Sequence, residues 1–230
     1  MMSTPIAGMS SMATRLLLAD AVEAWHRGGG AAVHIESVGG VDALRRVRDG
    51  EQFDVVVLAA DAIDRLAATG RIVADSALAL ARSSVALAVR KGAARPVVDT
   101  EDALRAAVLS AHRLGYSTGP SGVALQQLFE RWGIAEAIRA RVVQAPPGVA
   151  VGTLLARGDV DLGFQQLSEL LHIDGIDVIG GMPRGLEIVT TFSGAVCAAS
   201  TRPDVARAWL DFIRSPACDE ARRRHGMQPA

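Results

Sequence analysis

The chain has 230 residues, half of them hydrophobic, with a mean hydropathy of +0.24 and a net charge of −1. A chain of this size can bury a substantial core, as one large domain or two small ones. The balance of 24 Lys and Arg against 25 Asp and Glu provides no basic field for nucleic acid or for an anionic membrane. Aromatic residues make up only 4% of the chain, so stacking surfaces for bases or sugars are scarce.

The first third of the chain alternates predicted strands and helices. Apolar runs predict strands at 5–9, 32–37 and 53–58, and helical spacing predicts helices at 12–27, 41–49 and 60–69. Ser10 or Ser11 is a natural N-cap for the first helix. The order βαβαβα indicates a parallel sheet covered by helices.

The rest of the chain repeats this pattern between two longer strands. The run at 83–90 has no helical period and is the best candidate for a crossover to a second lobe, and 187–196 is the candidate for the return. Further helices are predicted at 99–112, 120–132, 148–157, 203–213 and 216–225, further strands at 160–164 and 176–179, and 134–143 as either. Pro146 and Pro147 are predicted to interrupt the chain. We expect lobe 1 to contain 1–83 and 195–230, lobe 2 to contain 84–194, and a ligand cleft to lie between them.

The stretch GYSTGPSG, which starts at Gly115, reads as a strand end, a tight turn and a helix start. Pro120 suits the first helical turn because its φ is fixed and it lacks an N–H. Hydroxyl and small residues surround it, namely Ser117, Gly119, Ser121 and Gly122. A helix start of this kind suits a small anion, while a capped turn without a ligand explains the same residues about as well.

Two other stretches have the same form. Ser10 and Ser11 follow the first predicted strand, and Ser37 ends the second, directly before Val38 and Gly39. In open parallel sheets, ligands bind outside the carboxyl ends of the strands. Serine hydroxyls and backbone N–H groups at these ends would bind a fully ionised anion without a countercharge.

At these residues the sequence resembles the type II periplasmic binding proteins, close to the molybdate-binding subgroup. The similarity spans essentially the whole chain. It rests on the serines at 10 and 11, on residues 37–40, and on the runs FDVVVLAADAIDRLAATG from Phe53, SSVALAVRKGA from Ser83, YSTGPSG from Tyr116, GDVDLGFQQLSEL from Gly158 and FIRSPACDEARRRHGMQP from Phe212. The resemblance implies an α/β fold of two lobes, each a mostly parallel sheet flanked by helices, joined by two crossover strands.

The resemblance also implies where a ligand binds. An oxyanion would be held by Ser10 or Ser11, by Ser37 and by the turn from Tyr116 to Gly122. Molybdate binders of this family have a tyrosine in a later loop, where this chain has Gln165 and Gln166. Amide side chains both donate and accept, so they could serve a larger ligand with carboxylate and hydroxyl groups. A related group resembles aconitate isomerase, which acts on a tricarboxylic acid.

Four charged side chains are further candidates. Arg15 in the first helix and Arg82 before the crossover strand could reach a ligand carboxylate, although solvated positions explain both about as well. If the protein is an enzyme, Glu36 is the acid to test first as a proton-transfer base, with His112 as a second group. An exposed strand residue and a cation at a helix end are the alternatives.

Cysteine usage and the N-terminus carry further expectations. Cys197 and Cys218 lack the spacing of a metal site and are expected to be small buried side chains, and no metal or cofactor is expected. No basic stretch with a following apolar run opens the chain, and no segment is apolar enough to span a membrane. The protein is therefore predicted to be periplasmic if a leader has been removed, and cytoplasmic otherwise.

We therefore expect a monomeric solute-binding protein of an ABC-type transporter that closes around a small anion, either a molybdate-like oxyanion or a di- or tricarboxylate. The alternative is an aconitate-isomerase-like enzyme that uses the same cleft. A cytosolic ligand sensor is a third hypothesis, but the sequence shows no DNA-binding segment and no nucleic-acid partner is expected.

Overall fold

The computed structural model describes residues 4–146 and 148–230, and the chain divides into two compact units. Unit 1 is drawn from the chain up to Ser83 and from Thr190 onwards, and unit 2 comprises Ser84–Val189. Pro147, which was predicted to interrupt the chain, lies outside the described residues.

The elements follow one another in an alternating order. The strands are β1 (Ile6–Ser11), β2 (Val33–Val38), β3 (Val55–Ala59), β4 (Leu78–Arg90), β5 (Leu114–Tyr116), β6 (Val142–Gln144), β7 (Leu162–Gln166), β8 (Ile176–Gly181), β9 (Val189–Val196) and β10 (Met227–Gln228). The helices are α1 (Arg15–Arg27), α2 (Gly40–Arg48), α3 (Ala60–Ala68), α4 (Glu101–Ser110), α5 (Pro120–Arg131), α6 (Ala135–Ile138), α7 (Val151–Arg157), α8 (Leu167–Leu170), α9 (Pro203–Arg214) and α10 (Asp219–Arg224). Short 3-10 turns lie at Met12–Thr14, Arg139–Arg141 and Pro216–Cys218.

Unit 1 is built on a mixed sheet in the order β2-β1-β3-β9-β4. β1 pairs in parallel with β2 and β3, whereas β9 runs antiparallel to β3 and β10 antiparallel to β4. Helices cover the sheet, and their packing buries two apolar clusters that include Trp209 and Ile63. The three parallel strands end at the same edge, and this edge carries the serines singled out in the sequence.

Unit 2 has a second mixed sheet, in which β7 lies between β4 and β5 and β6 follows β5. β5, β6 and β7 are parallel to one another, and the second half of β4 is antiparallel to β7 and to β8. Leu104, Phe129 and Phe164 belong to the apolar cluster on the α4 and α5 side of the sheet. The carboxyl ends of β5 and β7 therefore lie at one edge, as in unit 1.

Several predicted boundaries are corrected by the structure. β1 continues through Ser10 and Ser11, so these residues end a strand, and the Ser11 hydroxyl makes no capping hydrogen bond. β4 begins at Leu78, and within its first half Arg82 and Ser83 pair with β10, which comes from the far end of the chain. Residues 134–143 contain α6, a 3-10 turn and most of β6.

The cysteines fit the expectation of small buried side chains. Cys197 and Cys218 are both buried and free. Burial raises the pKa of the Cys197 thiol to about 12, and it raises the pKa of Cys218 as well. Both therefore stay protonated at neutral pH and act as small apolar groups in the core of unit 1.

Candidate functional site

A pair of hydroxyls joins the ends of the first two strands in unit 1. Ser10 and Ser37 are register partners across β1 and β2, and their Oγ atoms lie 2.7 Å apart. Ser10 is fully buried and Ser37 partly exposed. The Oγ of Ser10 also donates to the carbonyl oxygen of Ser11 at 3.3 Å, so a ligand acceptor would have to replace one of these two bonds, which rotation of a hydroxyl allows.

The next residue, Ser11, points to a binding function more directly. Its side chain is 6% exposed, and among residues 4–146 and 148–230 its Oγ has no hydrogen-bond partner. A buried hydroxyl without a partner costs stability, so its presence at a strand end needs an explanation. A ligand that accepts a hydrogen bond would supply one.

The start of α2 lies next to Ser11. A Cβ placed on Gly40 would be 3.7 Å from the Cβ of Ser11, which shows how close the two backbones come. Val38 ends β2 and Gly39 is the N-cap, and no side chain caps the helix. The first N–H groups of α2 are therefore available for an anion beside the Ser11 hydroxyl. Asp42, in the first turn, is paired with Arg45.

Glu36 is placed unfavourably for a proton-transfer base. Arg46 donates to both of its carboxylate oxygens, with the second contact at 2.9 Å, and the pair lies on the exposed face of β2. The hydrogen bond from Arg46 lowers the pKa of Glu36. A lowered pKa makes a weaker base at neutral pH, and the arginine occupies the oxygens that would accept the proton. The exposed strand residue, which was the alternative interpretation, describes Glu36 better.

The other charged candidates lie on the surface. Arg15 is the first residue of α1 and is exposed. Arg82 lies inside β4 instead of before it, and its Nε donates to the carbonyl oxygen of Pro229 at 3.2 Å, which ties it to the C-terminal strand. His112 lies beyond the end of α4 and is exposed, so the prediction that it closes this helix is wrong.

In unit 2, the predicted turn has the local structure expected from its sequence. β5 ends at Tyr116, Gly119 is the N-cap of α5, and Pro120 is its first residue. No side chain caps the helix, and the hydroxyls of Ser117 and Ser121 face each other at 3.5 Å. Pro120 has no N–H, and the N–H of Gly122 donates to the carbonyl oxygen of Gly119 at 2.9 Å, so the first turn of this twelve-residue helix leaves the N–H of Ser121 available.

The ring of Tyr116 lies in the core of unit 2. Its centroid is 6.3 Å from that of Phe129, and burial raises the pKa of its hydroxyl. The backbone of Tyr116 ends the strand and accepts a hydrogen bond from the N–H of Ala145 at 3.0 Å. The residue therefore supports the turn through its ring, and only its backbone lies at the strand end.

Gly122 is required by the geometry of this turn. A Cβ at Gly122 would lie 1.8 Å from the carbonyl oxygen of Ser117, a backbone atom that cannot rotate away. We expect Gly122→Ala to destabilise unit 2 by roughly 2–3 kcal/mol in urea unfolding, because the turn must shift to make room. Gly119→Ala is the matched control, since a Cβ at Gly119 would lie 4.0 Å from the Oγ of Ser117, an ordinary contact, and the φ of Gly119 is −77°. Equal stability of the two variants would contradict the close approach.

The two glutamines occupy the end of β7 and not a loop. Tyr116 and Phe164 are register partners, so Gln165 and Gln166 lie at the same sheet edge as the turn before α5. Gln165 is 2% exposed, and its Oε1 accepts from the N–H of Val151 at 2.8 Å. Its Nε2 donates to Glu169 at 2.9 Å. Gln165 therefore positions the start of α7, and Gln166 is also buried.

Sequence reasoning missed Glu169. Burial raises its pKa to about 7, although the hydrogen bond from Gln165 opposes the shift. The spacing of four residues from Gln165 was the only signal in the sequence, and it becomes meaningful once β7 is known to end at Gln166.

Among the described residues, no group of three or more His, Cys, Asp or Glu could hold a metal ion. Within the same residues, no helix combines the length and the apolar character needed to cross a bilayer.

Solved structures define the class of fold. The periplasmic molybdate-binding protein of Azotobacter vinelandii matches with a TM-score of 0.81 and 17% identity, over 96% of this chain and 98% of that one. A sulfate-binding protein of Mycobacterium tuberculosis H37Rv matches with a TM-score of 0.79 and 17% identity, over 99% and 88% of the two chains. These matches confirm the predicted fold class, the α/β fold of type II periplasmic binding proteins.

The sequence comparisons define the family. Residues 6–228 match the family described as bacterial extracellular solute-binding protein. This chain therefore belongs to that family. An aconitate isomerase from Pseudomonas sp is 37% identical over 187 residues, which cover 80% of this chain and 70% of that protein. The predicted resemblance to solute-binding proteins, with aconitate-isomerase-like relatives, is thereby confirmed.

Proposed function

We propose that this protein binds a small anion, either a molybdate-like oxyanion or a di- or tricarboxylate, and delivers it to an ABC-type transporter. The observation that carries the proposal is the buried Ser11 hydroxyl, which has no partner in the described part of the chain, beside the uncapped start of α2. Ser10, which precedes Ser11 in the chain, and its hydrogen-bond partner Ser37 add two more hydroxyls.

The chemistry of these groups favours a ligand that accepts hydrogen bonds and remains ionised at neutral pH. Hydroxyls and N–H groups donate to oxyanions and carboxylates, and hydrogen bonds to charged groups are stronger than neutral ones. Gly39 and Gly40 have no side chains to obstruct the approach of a ligand to the α2 backbone. The proposal needs no positive side chain, which agrees with the surface positions of Arg15 and Arg82.

Unit 2 offers a second uncapped helix start at α5, with the hydroxyls of Ser117 and Ser121 beside it. The sequence predicts that one anion contacts both this turn and the serines of unit 1, and this stays a prediction.

The proposal also includes a compartment outside the cytoplasm and a monomeric protein. The description of the family supports the compartment, and cell fractionation would test it.

A second candidate function is isomerisation of a tricarboxylic acid. The aconitate isomerase relative favours it, and so does Glu169, since a general base works best when its pKa lies near the operating pH. Moving a double bond requires a group that removes a proton from one carbon and returns one to another. If turnover occurs, Glu169 replaces Glu36 as the acid to test first.

A thermal-shift screen distinguishes these functions. The panel comprises molybdate, tungstate, sulfate, phosphate, citrate, tricarballylate, and cis- and trans-aconitate. A ligand at about a hundredfold excess over its Kd should stabilise the protein by about 2.7 kcal/mol. A shift with oxyanions alone supports an oxyanion transporter, and a shift with tricarboxylates supports the larger ligand. Absorbance of the two aconitates would then detect turnover, and no shift with any member would overturn the proposal.

A further inference from the structure

Glu169 belongs to the ligand-binding edge of unit 2 by its position in the fold. It lies in α8, which begins directly after Gln166, the last residue of β7. Because β5 and β7 are parallel and Tyr116 is level with Phe164, the end of β7 and the turn before α5 share one edge of the sheet. This is the edge at which open α/β sheets bind ligands.

Its hydrogen bond fixes how the carboxyl is held. Val151 N–H can only donate, so Gln165 must present its oxygen to it and its NH₂ group to Glu169. Gln165 is 2% exposed and cannot exchange these partners for water. The carboxyl is thus held through one oxygen, while the other oxygen can carry a proton.

Within the part of the chain that the structure describes, no positively charged group lowers the pKa of Glu169. α8 packs against β7, which has no ionisable side chain, and against α7, in which Arg157 is the last residue. His172 and Asp174 follow α8 in the chain. Burial and the Gln165 hydrogen bond are the causes of the shifted pKa of Glu169, and no charged group contributes. The carboxyl consequently changes its charge close to neutral pH.

Resting on the proposed function, we infer that Glu169 takes up a proton when an anion binds at this edge, and so makes the affinity of the site dependent on pH. An ionised carboxylate beside an incoming anion is a like-charge pair in a partly buried setting. Taking up a proton removes that repulsion. Anion binding and protonation of Glu169 therefore favour each other, and the coupling is reciprocal.

Titration calorimetry with trans-aconitate and with sulfate tests the inference, because both remain ionised from pH 6 to pH 8. Each titration is run in two buffers of different ionisation enthalpy, which yields the number of protons taken up. For the wild type we expect up to one proton per anion near pH 7.5, and binding about tenfold weaker at pH 8 than at pH 6. Glu169→Gln should take up no proton and bind equally at both pH values.

The Glu169→Gln variant is expected to fold, because its amide oxygen still accepts from Gln165. Glu136→Gln is the matched control, since Glu136 lies in the same unit and forms an exposed pair with Arg139. It should retain the pH dependence of the wild type. Anion binding without proton uptake, or uptake that persists in Glu169→Gln, overturns the inference and leaves the proposed function standing. Failure of both probes and of the whole anion panel to bind at any pH overturns the proposed function itself.

Discussion

Replacing Ser10 and Ser37 together with alanine should weaken anion binding about a hundredfold. Each hydroxyl that donates to an anion is worth roughly 1–2 kcal/mol, and about 2.7 kcal/mol corresponds to a hundredfold change in Kd. The two Oγ atoms are 2.7 Å apart and bond to each other, so removing both leaves neither without its partner, and the further bond that is lost, from the Ser10 Oγ to the carbonyl oxygen of Ser11, is long at 3.3 Å. The fold should therefore be retained, and calorimetry with the anion that gives the largest thermal shift measures the loss.

The single variants provide the internal comparison for this experiment. Ser37→Ala should weaken binding by roughly 5–30-fold and should also destabilise unit 1 slightly, since Ser10 is fully buried and loses a partner. Ser110→Ala, at the exposed end of α4, is the control and should bind like the wild type. Wild-type affinity in the double variant would show that the ligand does not contact these serines.

Replacing Arg222 with methionine should destabilise unit 1 by about 3–5 kcal/mol. Arg222 is 1% exposed and donates from Nε to the carbonyl oxygen of Leu80 at 2.9 Å. Its terminal nitrogens donate to the carbonyl oxygens of Ser215 and Ile213 and to Asp219. The guanidinium thus links β4, the end of α9 and the start of α10, and its loss leaves buried carbonyl groups without donors.

Urea unfolding measures this effect, and Arg223→Met is the matched control. Arg223 is the next residue in α10 and is exposed, so its replacement should change the free energy of unfolding by less than about 0.5 kcal/mol. If Arg222→Met cost as little as the control, the buried network would not hold these elements together.

The parts of the fold that depend on local pattern could be predicted from the sequence. The β-branched run before Ala59 and the helical spacing from Ala60 to Ala68 placed β3 and α3 within two residues. The start of α5 was also predictable, because Pro120 suits only the first turn and the small residues before it allow a tight approach.

The remaining features depend on partners that are distant in the sequence. The first half of β4 has neighbours from the other end of the chain, since β9 lies beside β4 and β10 pairs with Arg82 and Ser83. Arg222 lies in a run of three arginines that reads as a solvated helix face, yet its burial is decided by carbonyl groups of β4 and α9. The ion pair of Glu36 with Arg46, which disfavours a role of Glu36 as a base, likewise could not be read from the sequence.

Within the candidate site, the residue types were predictable and their environments were not. Hydroxyls at the ends of strands are visible as SS and SVGG in the sequence, which is why Ser10, Ser11 and Ser37 could be singled out. The unsatisfied Ser11 hydroxyl and the raised pKa of Glu169 arise from burial, and burial follows from the packing of whole elements.

The most direct test of the proposed anion site is a titration of the ¹⁵N-labelled protein with trans-aconitate and, separately, with molybdate, followed by amide NMR. We predict that one of these anions shifts the amide signals of Ser11, Gly40 and Val41 strongly and in proportion to its binding. If neither anion moves these signals while the thermal-shift panel identifies a ligand, the ligand binds elsewhere and the proposed site at β1, β2 and α2 is wrong.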